Sequence, residues 1–239
     1  MFNRIDLIQL IINKIKAKRY LEIGIFNGFS FLNVKCFKKI GVDPVLKIEL
    51  KTKLKSCFKN YTNINNEYFE MTSDVFFDTH REKLTTTPPE VIFIDGLHTF
   101  EQTLKDCYNS LNCIAPNGAI IMHDCSPPHA ASATPAQSIP EAEKKWKKEN
   151  RTGWTDEWCG DSWKTIPYLI DNNLDLNVSV INADYGLGVI TKKNTSSKKY
   201  EITGNLDNYK NLTYYDLDKK RKEMLNLIEL NDINEFINL

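Results

Sequence analysis

Tyr20–Ser30 reads YLEIGIFNGFS. A short apolar run carries an acid, Glu22, and two glycines, Gly24 and Gly28, then bracket a tight turn that opens into a helix. A strand, a glycine turn and a helix in this order bring backbone amides and a helix N-terminus up to a ligand, as in sites for nucleotide-like cofactors. The rest of the chain shows what kind of sheet this unit belongs to.

Upstream, Ile5, Ile8, Ile12 and Ile15 recur at helical spacing between polar residues and predict an amphipathic helix over 4–18. Downstream of the turn, a helix carries Phe29, Leu32, Val34 and Phe37, and strands are expected at 40–43, 68–71, 91–94 and 119–122. Strands alternating with helical patterns predict βα units and a mainly parallel sheet. Val91–Ile94, VIFI, is apolar at every position, as suits a central strand covered on both faces. Thr99 and Gln102 form a capping box before a helix that buries Phe100, Leu104, Cys107 and Leu111. Asp161 is expected to cap the next helix, kinked at Pro167, and 177–181 and 187–191 read as an antiparallel hairpin. A last helix is expected over 216–228. The expected architecture is a Rossmann-like α/β fold, a seven-stranded mainly parallel sheet with an antiparallel terminal hairpin and helices on both faces.

The 239 residues suit one domain, 1–239, with an N-terminal helix, a lid or acceptor-binding insertion at about 126–161 and a helical tail at about 213–239. Lys+Arg and Asp+Glu number 31 each, so no net field draws nucleic acid or an anionic membrane, although a local patch stays open. The N-terminal stretch lacks the apolar core and cleavage site of a signal peptide, and no segment reads as a bilayer span, so a cytoplasmic protein is expected. Six cysteines without a CxxC pair then read as reduced, mostly buried thiols. Ser126–Pro140 is rich in Pro, Ala, Ser and Thr, a loop long enough to serve as a lid. Trp146, Trp154, Trp158 and Trp163 follow and are expected to line the acceptor side, with Arg151 and Lys164 placed to meet an acceptor anion.

The order of elements, Glu22-x-Gly24-x-x-x-Gly28, Asp43 after the second strand and Asp95 after the fourth together resemble the class I S-adenosylmethionine-dependent methyltransferases. IDGLHTFEQTLKDCYNSL, PNGAIIMHDCSPP and GDSWK resemble a bacterial small-molecule branch associated with surface-glycan and natural-product modification. The resemblance implies S-adenosylmethionine held at Glu22, Gly24, Phe26, Asn27, Gly28, Ser30, Asp43, Ser73, Asp74, Asp95 and Gly96. It also implies methyl transfer to the oxygen of a small polar acceptor: a sugar, or a phosphorylated or phosphoramidate-type metabolite.

Proton removal from such an acceptor suits a histidine, which makes His123 and His98 the candidate catalysts, with Asp124 to orient them. Some related O-methyltransferases bind a divalent cation at these strand ends, which implies Asp95, His123 and Asp124 as ligands for Mg or Mn. An N-methyltransferase, an NAD-dependent oxidoreductase and a non-catalytic relative are the alternatives. The amphipathic ends leave a homodimer open.

Overall fold

The computed structural model describes residues 1–149, 152–194 and 198–233. Two compact units divide the chain: Met1–Gly96, Asp106–Ile121 and Asn194–Tyr200 form one, and Leu97–Lys105, Met122–Lys193 and Glu201–Leu239 the other.

The first unit opens with helix α1 (Arg4–Ile15), where Asn3 and Asp6 make a reciprocal capping box and Lys16 closes the helix in the left-handed region. Its buried face is Leu7, Ile8, Ile11 and Ile12, shifted from the expected isoleucine stripe, because Ile15 is the last helical residue and stays exposed. Burying four such side chains stabilises the fold by roughly 1.5–3 kcal/mol each.

Strand β1 (Arg19–Ile23) leads through the glycine turn into α2 (Phe29–Asn33) and then β2 (Lys38–Asp43). Helix α2 is one turn long and stops before Val34 and Phe37, which had been expected to continue it. The reason is the buried Lys39: its ammonium donates to the carbonyls of Phe31 (2.6 Å) and Val34 (2.8 Å) and to Asn63 Oδ1. Asn60 Nδ2 also takes the Val34 carbonyl, at 2.9 Å, so side chains satisfy the helix end in place of further turns.

Then come α3 (Leu50–Lys59), β3 (Asn66–Glu70), α4 (Ser73–Thr79), α5 (Arg81–Thr86) and β4 (Val91–Ile94). Strands β3, β2, β1 and β4 pair parallel in that order, and β4 is buried at every residue. From β1 the chain runs outward to β2 on one side, while β4 joins on the other. The C-terminal ends of β1 and β4 therefore flank a topological switch point, where open α/β sheets bind ligands. Helix α6 (Phe100–Leu111) buries the four predicted residues, and β5 (Ala119–Met122) follows β4 in the sheet order.

The second unit holds α7 (Ile139–Lys148), α8 (Thr165–Asn172), β6 (Leu176–Ile181), β7 (Leu187–Lys192), α9 (Asp207–Lys210), α10 (Tyr214–Leu225) and β8 (Leu227–Ile228). The expected hairpin is present, with β6 antiparallel to β7. Pro167 lies in the first turn of α8, where its missing N–H removes no helical bond, so no kink is needed. Asp161 does not cap the following turn; its carboxylate reaches back to the amide of Phe100, 2.8 Å away, at the start of α6.

Among the described residues the sheet has eight strands, not seven. Asn226 adopts φ 42°, which ends α10 early and releases Leu227 and Ile228 to pair parallel with Val180 and Ile181. Parallel pairing still dominates, and no helix among the described residues is long and apolar enough to cross a membrane. All six cysteines are free thiols, four of them buried.

Candidate active site

In the first unit, the glycine turn is held by Asp43. Its Oδ2 accepts from the backbone amide of Phe26 and its Oδ1 from that of Val45, both at 2.8 Å. Those amides close the loop after β1 onto the end of β2, and Asn27 Oδ1 accepts from Phe29 N at the mouth of α2. Gly24, Phe26 and Gly28 all have positive φ, at 90°, 38° and 77°.

The glycines answer to packing inside the protein. A Cβ on Gly24 would lie 2.0 Å from the carbonyl oxygen of Asp95, and one on Gly28 would meet Ile48 at 2.8 Å. Side chains are excluded at both places, and the loop lies directly against the end of β4.

Glu22 and Ser30 bond to each other in the interior. Glu22 accepts a very short hydrogen bond from Ser30 and a 2.6 Å bond from the hydroxyl of Tyr20. Burial raises the Glu22 carboxyl to about 7, the hydrogen bonds from Ser30 and Tyr20 opposing the shift. These two residues fasten β1 to α2, and so fix the turn between them.

Thr72, rather than Ser73 or Asp74, caps α4, its hydroxyl accepting from Val75 N; Ser73 and Asp74 follow in the first turn. Asp95 pairs with Arg4 at 2.7 Å. Sequence reasoning missed Arg4, since the approach of α1 to the end of β4 is a tertiary event. A guanidinium thus balances the Asp95 charge at the end of β4. Gly96 comes directly after Asp95, and a Cβ there would make only ordinary contacts, with Ile23 at 3.6 Å and Asp106 at 3.9 Å.

In the second unit, the candidate catalysts come together. One oxygen of Asp124 lies 3.1 Å from Nδ1 of His123 and 3.3 Å from Nδ1 of His98. Asp124 adopts φ 58°, and its carbonyl accepts from the Ser162 hydroxyl. His123 is buried, and its Nε2 lies 3.6 Å from Asp184 Oδ1. Nδ1 of His98 also faces the Trp158 carbonyl at 3.0 Å, and the two rings stack at 5.0 Å. Gly160 permits this arrangement, because a Cβ there would lie 1.9 Å from the carbonyl oxygen of His98.

Asp184 and Tyr185 were not read from the sequence. Both lie in the hairpin loop at positive φ, 46° and 61°, ahead of Gly186, so only a turn was legible there. Tyr185 presents its edge to His123 and donates to Glu157 at 2.8 Å; that bond is the leading cause raising the phenol to about 12.

Of the expected tryptophan lining, Trp158 meets His98. Trp146 and Trp158 anchor the insertion by donating to Thr152 and Thr134 carbonyls. Lys164 is not available to an acceptor anion: it is buried, donates to the Lys210 carbonyl at 2.7 Å and pairs with Asp161. Arg151 lies outside the described residues.

Residues 21–125 match a family described as "Methyltransferase domain". This segment, under half of the chain, takes in the glycine turn, Asp43, Asp95 and His123-Asp124. Comparison with curated proteins finds no match. Among solved structures, an O-methyltransferase from Bacillus cereus in complex with S-adenosylhomocysteine aligns with TM-score 0.51 at 13% identity, over 78% of this chain and 79% of its own. A Podospora anserina methyltransferase bound to S-adenosylhomocysteine aligns with TM-score 0.51 at 16% identity, over 81% and 80%. At these identities the likeness is one of fold.

Residues 21–125 thus carry the methyltransferase-domain match, and the chain shares its α/β architecture with these two methyltransferase structures. The expected Rossmann-like α/β fold thus stands, with the strand count corrected.

Proposed function

We propose that the chain transfers a methyl group from S-adenosylmethionine to the oxygen of a small polar acceptor, such as a sugar or phosphorylated metabolite, with His123 taking the acceptor's proton. When bound, the cofactor supplies a sulfonium-activated methyl carbon. Asp43 and the loop it fastens, at the switch point of the sheet, are the residues that would hold the adenosyl part: the carboxylate is fixed by two amides and retains lone pairs for ribose hydroxyls.

The observation that carries the catalytic reading is the pairing of His123 with Asp124. The Asp124 charge 3.1 Å from Nδ1 favours a proton there through its field rather than through an aligned hydrogen bond, which leaves Nε2 as the base. Taking the acceptor's proton makes an imidazolium, and Asp184, beyond hydrogen-bond length from Nε2, stabilises that charge without consuming the lone pair. Nδ1 of His98 faces two acceptors, Asp124 and the Trp158 carbonyl, so its proton also sits there. His98 thereby helps orient the shared carboxylate. A hydroxyl acceptor needs such a base because its proton must leave as the carbon–oxygen bond forms.

The test is transfer of radiolabelled methyl from S-adenosylmethionine to a panel of sugars and sugar phosphates. Labelled product formed by the wild type and abolished in His123→Gln, with cofactor affinity retained, supports the reading. Equal rates in the two proteins refute the role of His123.

A further inference from the structure

Helix α3 has no buried residue, although it carries three large apolar side chains. Leu50, Leu54 and Phe58 are 72%, 58% and 93% exposed, and Tyr61 and Ile64 in the turn that follows are 79% and 72% exposed. The first three stand at i, i+4 and i+8, so they form one stripe along the helix. Lys51, Lys55 and Lys59 repeat the same spacing one position on and lie alongside it. The inward side is polar and half-buried: Lys53, whose ammonium sits 4.0 Å from the Tyr68 ring centre, with Ser56 and Cys57. Apolar residues thus point outward by arrangement, since the helix turns its polar, half-buried side inward.

From this face we infer a docking surface for an anionic lipid membrane. Two parallel stripes, one of large apolar side chains and one of lysines with no acid among Leu50–Lys59, are the pattern of a helix that lies in the plane of a bilayer interface. The apolar stripe enters the acyl boundary and the lysines meet the headgroups. A second copy of the chain is a poorer occupant, because a two-fold contact would bring the lysine stripe of one copy close to that of the other. The zero net charge of the whole chain conceals this local patch.

The experiment is co-sedimentation of the full-length protein with vesicles of equal parts phosphatidylcholine and phosphatidylglycerol, and with phosphatidylcholine alone. Binding to the anionic vesicles is expected, weakened by salt, and absent on the neutral ones. Each lysine near such a surface contributes about fivefold in partitioning, so Lys51→Gln/Lys55→Gln/Lys59→Gln together lower it by about a hundredfold. Leu54→Ser/Phe58→Ser, at exposed sites and so without harm to folding, also lowers it by tenfold or more. Circular dichroism verifies that both variants remain folded. No binding to anionic vesicles, or binding unchanged in both folded variants, overturns the proposal. So does retention on immobilised polyglutamate by protein that ignores vesicles, which would point to an acidic protein partner, or concentration-dependent dimerisation abolished by Leu54→Ser/Phe58→Ser in protein that ignores vesicles.

Discussion

Asp124 lies 3.1 Å from Nδ1 of His123, and the same oxygen serves His98 at 3.3 Å. One carboxylate thus lies beside two imidazoles that the sequence places twenty-five positions apart, and under the proposed mechanism removing it should disturb both. Asp124→Asn keeps the shape but offers an amide in place of an acceptor charge. Its expected effect is a fall in kcat of about 10²–10⁴, the range of general-base catalysis, with KM for the cofactor unchanged. Steady-state kinetics checks it, and a kcat within threefold of wild type would remove this pair from the mechanism.

Gly160 makes a second, structural prediction. Its Cβ would overlap the His98 carbonyl, so Gly160→Ala must displace the segment that presents His98 and Trp158. We expect a loss of about 2–4 kcal/mol in stability, from overpacking and strain at φ 61°, together with reduced kcat. Urea unfolding measures the first; a neutral substitution would show that this approach is looser than drawn.

Glu22 sets a pH dependence. Its folded-state pKa of about 7 is above the ordinary value of 4.5, so between these values the folded chain binds more protons than the unfolded one. The contribution is fully present below about 4.5 and is lost as pH rises to 7, by on the order of 3 kcal/mol at most. Burial lowers Lys39 to about 8 from 10.5, which gives the opposite slope above 8. Urea unfolding across pH 5–8 should therefore show Glu22→Gln gaining on the wild type as pH rises. A constant difference between the two would contradict the raised carboxyl.

The central parallel strands were legible because their signal is local: VIFI at β4 and the strand–glycine–helix at β1 carry apolar runs and turn residues in sequence order. Asp43 and the His123-Asp124 pair were legible for the same reason, as polar residues at the ends of such strands. Arg4, Asp161 and Asp184 act across 91, 61 and 61 positions, on Asp95, Phe100 and His123, and no periodicity encodes such contacts. The short α2 was misread because its stop signal is the buried ammonium of Lys39, a side chain expected on the surface. The eighth strand depends on one left-handed residue, Asn226, within what otherwise reads as a continuous helix.

The most direct test of the account is calorimetric titration with S-adenosylhomocysteine of the wild type and Asp43→Ala. Binding by the wild type is expected, with a loss of tenfold or more when Asp43 no longer fixes the loop through Phe26 and Val45. Absence of binding at millimolar ligand, or an affinity indifferent to Asp43, would contradict it.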